Sequence, residues 1–202
     1  MELILIRHGP TEWNALERFQ GRSDIPLSPA GLVDAHAIAA ALRNERIDRI
    51  YSSDLVRALD TARIIGDASG TEIIADPRLR EFDFGRWEGL TWHEIVAAYP
   101  ELTGNRPTGA RLYEPAGGET FAQVRRRVRS FLDDLQRQDP GARIVVVTHA
   151  GPLHAFLAEL ELTRTGGDFD RFAPAGITRI AIDGRRARLI ALNDMEHLSS
   201  AC

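Results

Sequence analysis

Arg143-Ile144-Val145-Val146-Val147-Thr148 is the stretch on which the fold reading turns. Four consecutive β-branched residues suit a pleated strand, and a run apolar at every position suits one covered on both faces, in the middle of a parallel sheet. On its amino-terminal side Phe121, Val124, Val128, Phe131 and Leu135 recur at helical spacing and mark a long amphipathic helix. On its carboxyl side Thr148-His149-Ala150-Gly151 leads into a helix at about Pro152–Leu162. Ile177–Ile182 and Arg188–Leu192, joined around Asp183-Gly184, read as a closing hairpin.

Further towards the start, Leu3–Ile6, Arg49–Ser52 and Glu72–Ala75 read as three more strands. Between them lie two helices. Ser28 is placed to cap the first, with Pro29 at its first position and Leu32, Ala35, Ala39 and Leu42 as its apolar stripe. Asp54 is placed to cap the second, whose stripe is Leu55, Ala58, Ala62 and Ile65, and Gly70 ends it. Thr91 and Glu94 have capping-box spacing for a short helix within Thr91–Tyr99, between irregular stretches at 76–90 and 101–119. Arg125, Arg126, Arg127 and Arg129 look like a phosphate-binding cluster, but because they lie opposite or beside the apolar stripe of the long helix most of them read as a solvated face. Strands alternating with helices predict an α/β three-layer sandwich with a mostly parallel central sheet and an antiparallel edge. With no repeat, low-complexity tract or linker, residues 1–202 are expected to form one domain.

Composition removes several chemistries. All 25 basic residues are arginine. Genomic base composition accounts for that, yet the absence of lysine excludes a Schiff base and a P-loop. His93-Glu94-Ile95-Val96-Ala97 lacks the second histidine of a zinc-protease helix, and G-x-S-x-G and G-x-G-x-x-G are both missing. The longest nearly apolar stretch lies within Ala35–Leu42, too short to span a membrane, and the first residues lack a signal peptide's basic region. Cys202 is the sole cysteine, so no intrachain disulfide is expected and a cytoplasmic home is the default. A formal net charge of -4 argues against nucleic-acid and polybasic membrane partners. A homodimer is among the arrangements the sequence allows.

Ligands of open α/β sheets sit beyond the carboxyl ends of the strands. Arg7-His8-Gly9 follows the first strand, Ser52-Ser53 with Arg57 the second, and Thr148-His149-Ala150-Gly151 the central one. Two guanidiniums and two imidazoles converging there suit a phosphate: planar forks match its oxygens, and a neutral imidazole attacks phosphorus and holds the phosphoryl group. The leaving alkoxide needs a proton, for which Glu81 and Asp83 are rival carboxylic acids just after the third strand. Spacing alone does not separate the two.

Arg7-His8-Gly9-Pro10-Thr11-Glu12-Trp13-Asn14 resembles the R-H-G-x-T-x-W-N signature of the histidine phosphatase superfamily, in its phosphoglycerate-mutase-like branch. Further blocks follow in the family's order: Arg18–Ser28, Tyr51–Ala58 with Thr61-Ala62, Leu79–Leu90, Gly117–Thr120 and Val147–Gly151. The resemblance implies a phosphoglycerate-mutase-like fold, with His8 as the phosphate-accepting nucleophile and Arg7, Arg57 and His149 as the phosphate pocket. It implies Glu81 as proton donor, and Asn14, Thr11, Gln20, Gly21 and Ala150 as positions near the bound phosphate. The implied reaction needs no cofactor and no metal: a phosphohistidine forms on a small phosphorylated metabolite, and water then releases it.

Mutases resembling this chain hold the glycerate carboxylate with a lysine where Trp92 stands, and carry Gly-Asn where Ala150-Gly151 stand. Arg106 and Arg111 offer cations that could partly replace that clamp, so a cofactor-dependent phosphoglycerate mutase is the alternative; the balance favours a phosphatase. α-Ribazole phosphatases and phosphoserine phosphatases match these blocks alike. A substrate cap is expected at about 91–119, carrying Trp92, His93, Tyr99, Arg106, Arg111 and Tyr113; the same residues also suit a loop that merely covers the core. Two other classes remain: a metal-dependent hydrolase using His8, His149 and a carboxylate, which the adjacent arginines oppose, and a non-catalytic phosphate-binding protein.

Overall fold

The computed structural model describes residues 1–100, 115, 117–162, 172–184 and 186–199. Its centre is a parallel pair of strands, β1 (Glu2–Arg7) and β4 (Arg143–Thr148), paired in register from Glu2 opposite Arg143 to Arg7 opposite Thr148. Side chains alternate across a strand, so each apolar run serves two cores. Leu3, Leu5, Ile144 and Val146 pack with Phe131, Leu132 and Phe156 on one face. Ile4, Ile6, Val145 and Val147 pack with Ile38, Leu42, Ala62 and Ile65 on the other.

With β2 (Arg49–Ser52), β3 (Ile73–Ala75), β5 (Ile177–Asp183) and β6 (Arg186–Asp194), the sheet order is β3-β2-β4-β1-β5-β6. The first four strands are mutually parallel, and β5 and β6 add the antiparallel edge. Helices α5 (Phe121–Gln138) and α6 (Ala150–Glu159) cover one face, and α2 (Pro29–Leu42) and α3 (Val56–Ser69) the other. Short helices α1 (Glu12–Ala15), α4 (Trp92–Ala98) and α7 (Glu196–Ser199) complete the described set. This is the expected three-layer sandwich.

Most element ends carry the signals the spacing predicts. The Ser28 side chain accepts from Gly31 N–H above Pro29, Thr91 and Glu94 close a capping box on α4, and Gly70 ends α3 in the left-handed region at φ 69°. Four expectations are corrected. Asp54 does not cap α3: both its oxygens take the Arg80 guanidinium, at 2.7 and 2.5 Å, and Asp24 Oδ1 accepts the Val56 N–H at 2.7 Å instead. Leu32 is 45% exposed, and Ile38 takes its place in the buried stripe of α2. The helix after β4 begins at Ala150 and ends at Glu159. Arg127 leaves the solvated face of α5 and turns inward. Of the expected cap, α4 is described, while Arg106, Arg111 and Tyr113 lie outside the described residues.

Candidate active site

The in-register pairing of β1 and β4 brings their carboxyl ends side by side, and His8 N–H donates to Thr148 O at 3.0 Å. Ser53, past the end of β2, donates its N–H to Val147 O at 3.0 Å. Residues contributed by four segments thus meet around a cavity of about 230 Å³. Arg7, His8, Asn14, Gln20, Gly21, Arg57, Glu81 and Ala150, all expected at the site, line it.

His8 is 2% exposed, and its Nδ1 lies 2.7 Å from Gly9 O. A carbonyl only accepts, so Nδ1 carries the proton and the neutral ring keeps its lone pair on Nε2. Burial first, then the positive charges of Arg57 and Arg7, hold the ring's pKa well below the usual histidine value. His149 is fully buried, its ring 5.0 Å from that of His8, with Nε2 2.9 Å from Ser53 Oγ. The same causes, burial and then Arg57, lower it likewise. His149 is not among the residues that line the cavity.

Both arginines are anchored by main-chain carbonyls. Arg57, completely buried, donates through Nη2 to Gly21 O at 2.7 Å and through Nη1 to Ser23 O at 2.8 Å. Burial lowers its pKa to about 10, so it stays charged at neutral pH. Arg7 donates through Nη1 to Phe172 O at 2.6 Å. Arg7 Nε, Arg57 Nε and His149 Nδ1 are buried without a hydrogen-bond partner among the described residues. Unpaired polar atoms of this kind are rare in protein interiors, and of these three residues Arg7 and Arg57 line the cavity, where guanidinium N–H groups suit an oxyanion.

Glu81, 8% exposed, lies over the start of α6, where Oε1 accepts from Gly151 N–H at 3.1 Å and from Phe82 N–H at 2.9 Å. A β-carbon on Gly151 would collide with that carboxylate, so glycine is what lets it approach the helix. Asp83 points elsewhere: it accepts from Gly85 N–H and pairs with Arg22 at 3.4 Å, off the cavity wall. Thr11 also stands back from the wall. It is 1% exposed, closes a capping box with Asn14 on α1, and donates through Oγ1 to Gln20 Oε1 at 2.9 Å, fixing two residues that do line the cavity.

Glu17, Arg18, Phe19 and Phe84 also line the cavity and were not singled out from sequence, although all but Glu17 belong to the matched blocks. Arg127 was missed as well. It donates to Arg78 O at 2.7 Å, to Glu81 O at 3.0 Å and to both oxygens of Glu119 at 3.2 and 3.1 Å, bracing the Glu81 segment from α5. Its spacing within the arginine run carries no signal of this.

The family model of the histidine phosphatase superfamily, branch 1, matches residues 3–195. The chain belongs to that superfamily. It is 34% identical over 203 residues to phosphoserine phosphatase 1 of Hydrogenobacter thermophilus, covering 98% of this chain and 94% of that one. It is 35% identical over 202 residues to the metal-independent phosphoserine phosphatase of Arabidopsis thaliana, covering 98% and 84%. A solved mycobacterial glucosyl-3-phosphoglycerate phosphatase, in complex with VO3, superposes with a TM-score of 0.83 at 32% identity, covering 96% and 99%. The activity class of this superfamily member is that of a phosphatase.

Proposed function

We propose that the protein hydrolyses a small phosphomonoester without a metal, through a phosphohistidine on His8. One observation carries the reading: the Nδ1 bond to Gly9 O leaves the lone pair on Nε2 of a ring that lines the same cavity as Arg7 and Arg57. Nε2 attacks phosphorus as the ester P–O bond breaks, and Glu81 delivers a proton to the departing alkoxide. The two guanidiniums balance charge on the equatorial oxygens, joined by His149, to which we assign the Nδ1–H tautomer with Ser53 donating to Nε2. Water then attacks the phosphohistidine, giving its proton to Glu81, and inorganic phosphate leaves.

Fixed arginines take the part a cation plays in metal-dependent hydrolases. Among the described residues, no group of three or more His, Cys, Asp or Glu side chains is arranged to hold a metal ion. The substrate class is a compact phosphorylated metabolite of the kind named by the relatives, phosphoserine first. The mutase alternative lacks a lysine for the glycerate carboxylate, with Trp92 in its place and 40% exposed. No described helix is long and apolar enough to cross a membrane, and we place the enzyme in the cytoplasm.

The test is phosphate release from phosphoserine, α-ribazole phosphate, 3-phosphoglycerate and p-nitrophenyl phosphate in excess chelator, with wild type and His8→Ala. Chelator-resistant release that disappears in the variant supports the proposal. Release abolished by chelator, or retained by His8→Ala, overturns it.

A further inference from the structure

Glu88 belongs to the matched Leu79–Leu90 block, is half-buried, and does not line the cavity. Its carboxylate nevertheless accepts four hydrogen bonds. Oε1 takes Arg22 N–H at 2.7 Å and Phe84 N–H at 3.3 Å; Oε2 takes Ser23 N–H at 2.8 Å and Ser23 Oγ–H at 2.5 Å. That occupies about the four acceptor sites a carboxylate has. A β-carbon on Gly21 would collide with this carboxylate, and Gly21 holds the left-handed φ of 52° that glycine adopts most readily.

The turn so gathered, Gly21 to Ser23, supplies the two carbonyls that hold both terminal nitrogens of Arg57. Through Phe84, the same carboxylate also ties that turn to the segment bearing Glu81. A guanidinium with its Nη atoms fixed in advance loses little freedom when an anion arrives.

We propose that Glu88 is the positioning residue of Arg57: it shapes the Gly21–Ser23 turn so that Arg57 is set for the phosphate before the substrate binds. The inference rests on the reading of Arg57 as a phosphate ligand. Glutamine at 88 keeps the shape but replaces one acceptor oxygen with a donor facing N–H groups.

Inorganic phosphate is titrated calorimetrically into wild type, Glu88→Gln, Arg57→Lys and the double variant, and kcat/KM is measured on phosphoserine and p-nitrophenyl phosphate. Glu88→Gln is expected to weaken phosphate binding about tenfold, the scale of one hydrogen bond to a charged group. It is expected to lower kcat/KM equally on both esters, because Glu81 is untouched, and to add less than about twofold when Arg57 is already lysine, as coupled sites do. Ser23→Ala, which removes only the 2.5 Å bond, is expected to shift affinity the same way by less, and decides the matter if Glu88→Gln does not fold. Unchanged phosphate affinity, a full-sized effect in the Arg57→Lys background, or a loss confined to phosphoserine would overturn the proposal. If Arg57→Lys itself binds phosphate as tightly as wild type, the reading of Arg57 falls and this inference with it. If Arg57→Lys weakens binding and Glu88→Gln does not, the inference alone falls.

Discussion

The His8 and His149 rings lie 5.0 Å apart, tilted by 57°, and burial beside Arg57 keeps both uncharged. The unfolded rings take up protons near pH 6.5, whereas the folded rings do so only well below it. Below 6.5 the unfolded chain therefore binds more protons, and stability falls as pH drops through that window and is fullest above it. Thermal melts from pH 7.5 to 5 are expected to show a steeper fall in Tm for wild type than for the His8→Asn/His149→Asn double variant. Identical slopes would remove the two rings as the cause.

Glu81→Gln is expected to cost phosphoserine turnover about 10²-fold or more, the usual scale for a general acid, and p-nitrophenyl phosphate far less, since that leaving group needs no proton. A parallel loss on both esters would return the acid's role to Asp83, although Asp83 lies against Arg22 and off the cavity wall.

Ser53→Ala removes the partner of His149 Nε2 inside the protein. A buried polar atom stripped of its hydrogen bond costs about 1–3 kcal/mol, and the imidazole tautomer is released as well. Chemical denaturation should register that loss, and kcat/KM should fall about tenfold or more; Ser53→Thr should restore part of both. No recovery with threonine would count against the hydroxyl as the tether.

Arg127→Met and Arg126→Ala make a paired comparison on adjacent residues of α5. Arg126 is an exposed surface residue, and its loss should change stability by less than about 0.5 kcal/mol. Arg127 links Arg78, Glu81 and Glu119, so its loss should cost about 2 kcal/mol or more, the scale of hydrogen bonds to a charged group. Urea titration of both variants decides it, and equal effects would return Arg127 to the solvated face.

What was legible in the sequence is what is written in short-range spacing. Ile144 to Val147 could sit only in a doubly covered strand, Thr91 and Glu94 are three residues apart, and histidines following two such strands fall at a sheet's ligand-binding end. What was not legible depends on partners far along the chain. Asp54 stands where a cap would, but the guanidinium of Arg80 claims it, while Asp24, 32 residues before Val56, does the capping. Glu81 and Asp83 differ only in which way the backbone turns them, towards Gly151 or towards Arg22. Arg126 and Arg127 read alike because a helix turns about 100° between them, and only the packed neighbours tell which side is inward.

The position of β1 also bears on how the protein comes to exist. This strand leads the chain but lies between β4 and β5, so both of its neighbours come from residues 143–183. During synthesis, Arg7 and His8 leave the ribosome long before either flank has been made, on an apolar strand with both edges open. Closure across some 140 residues is the slow kind of contact formation, and until it happens the apolar strand is exposed to aggregation. The two histidines are brought together by the pairing of β1 with β4, so in a growing chain they meet only after residue 149 has been made.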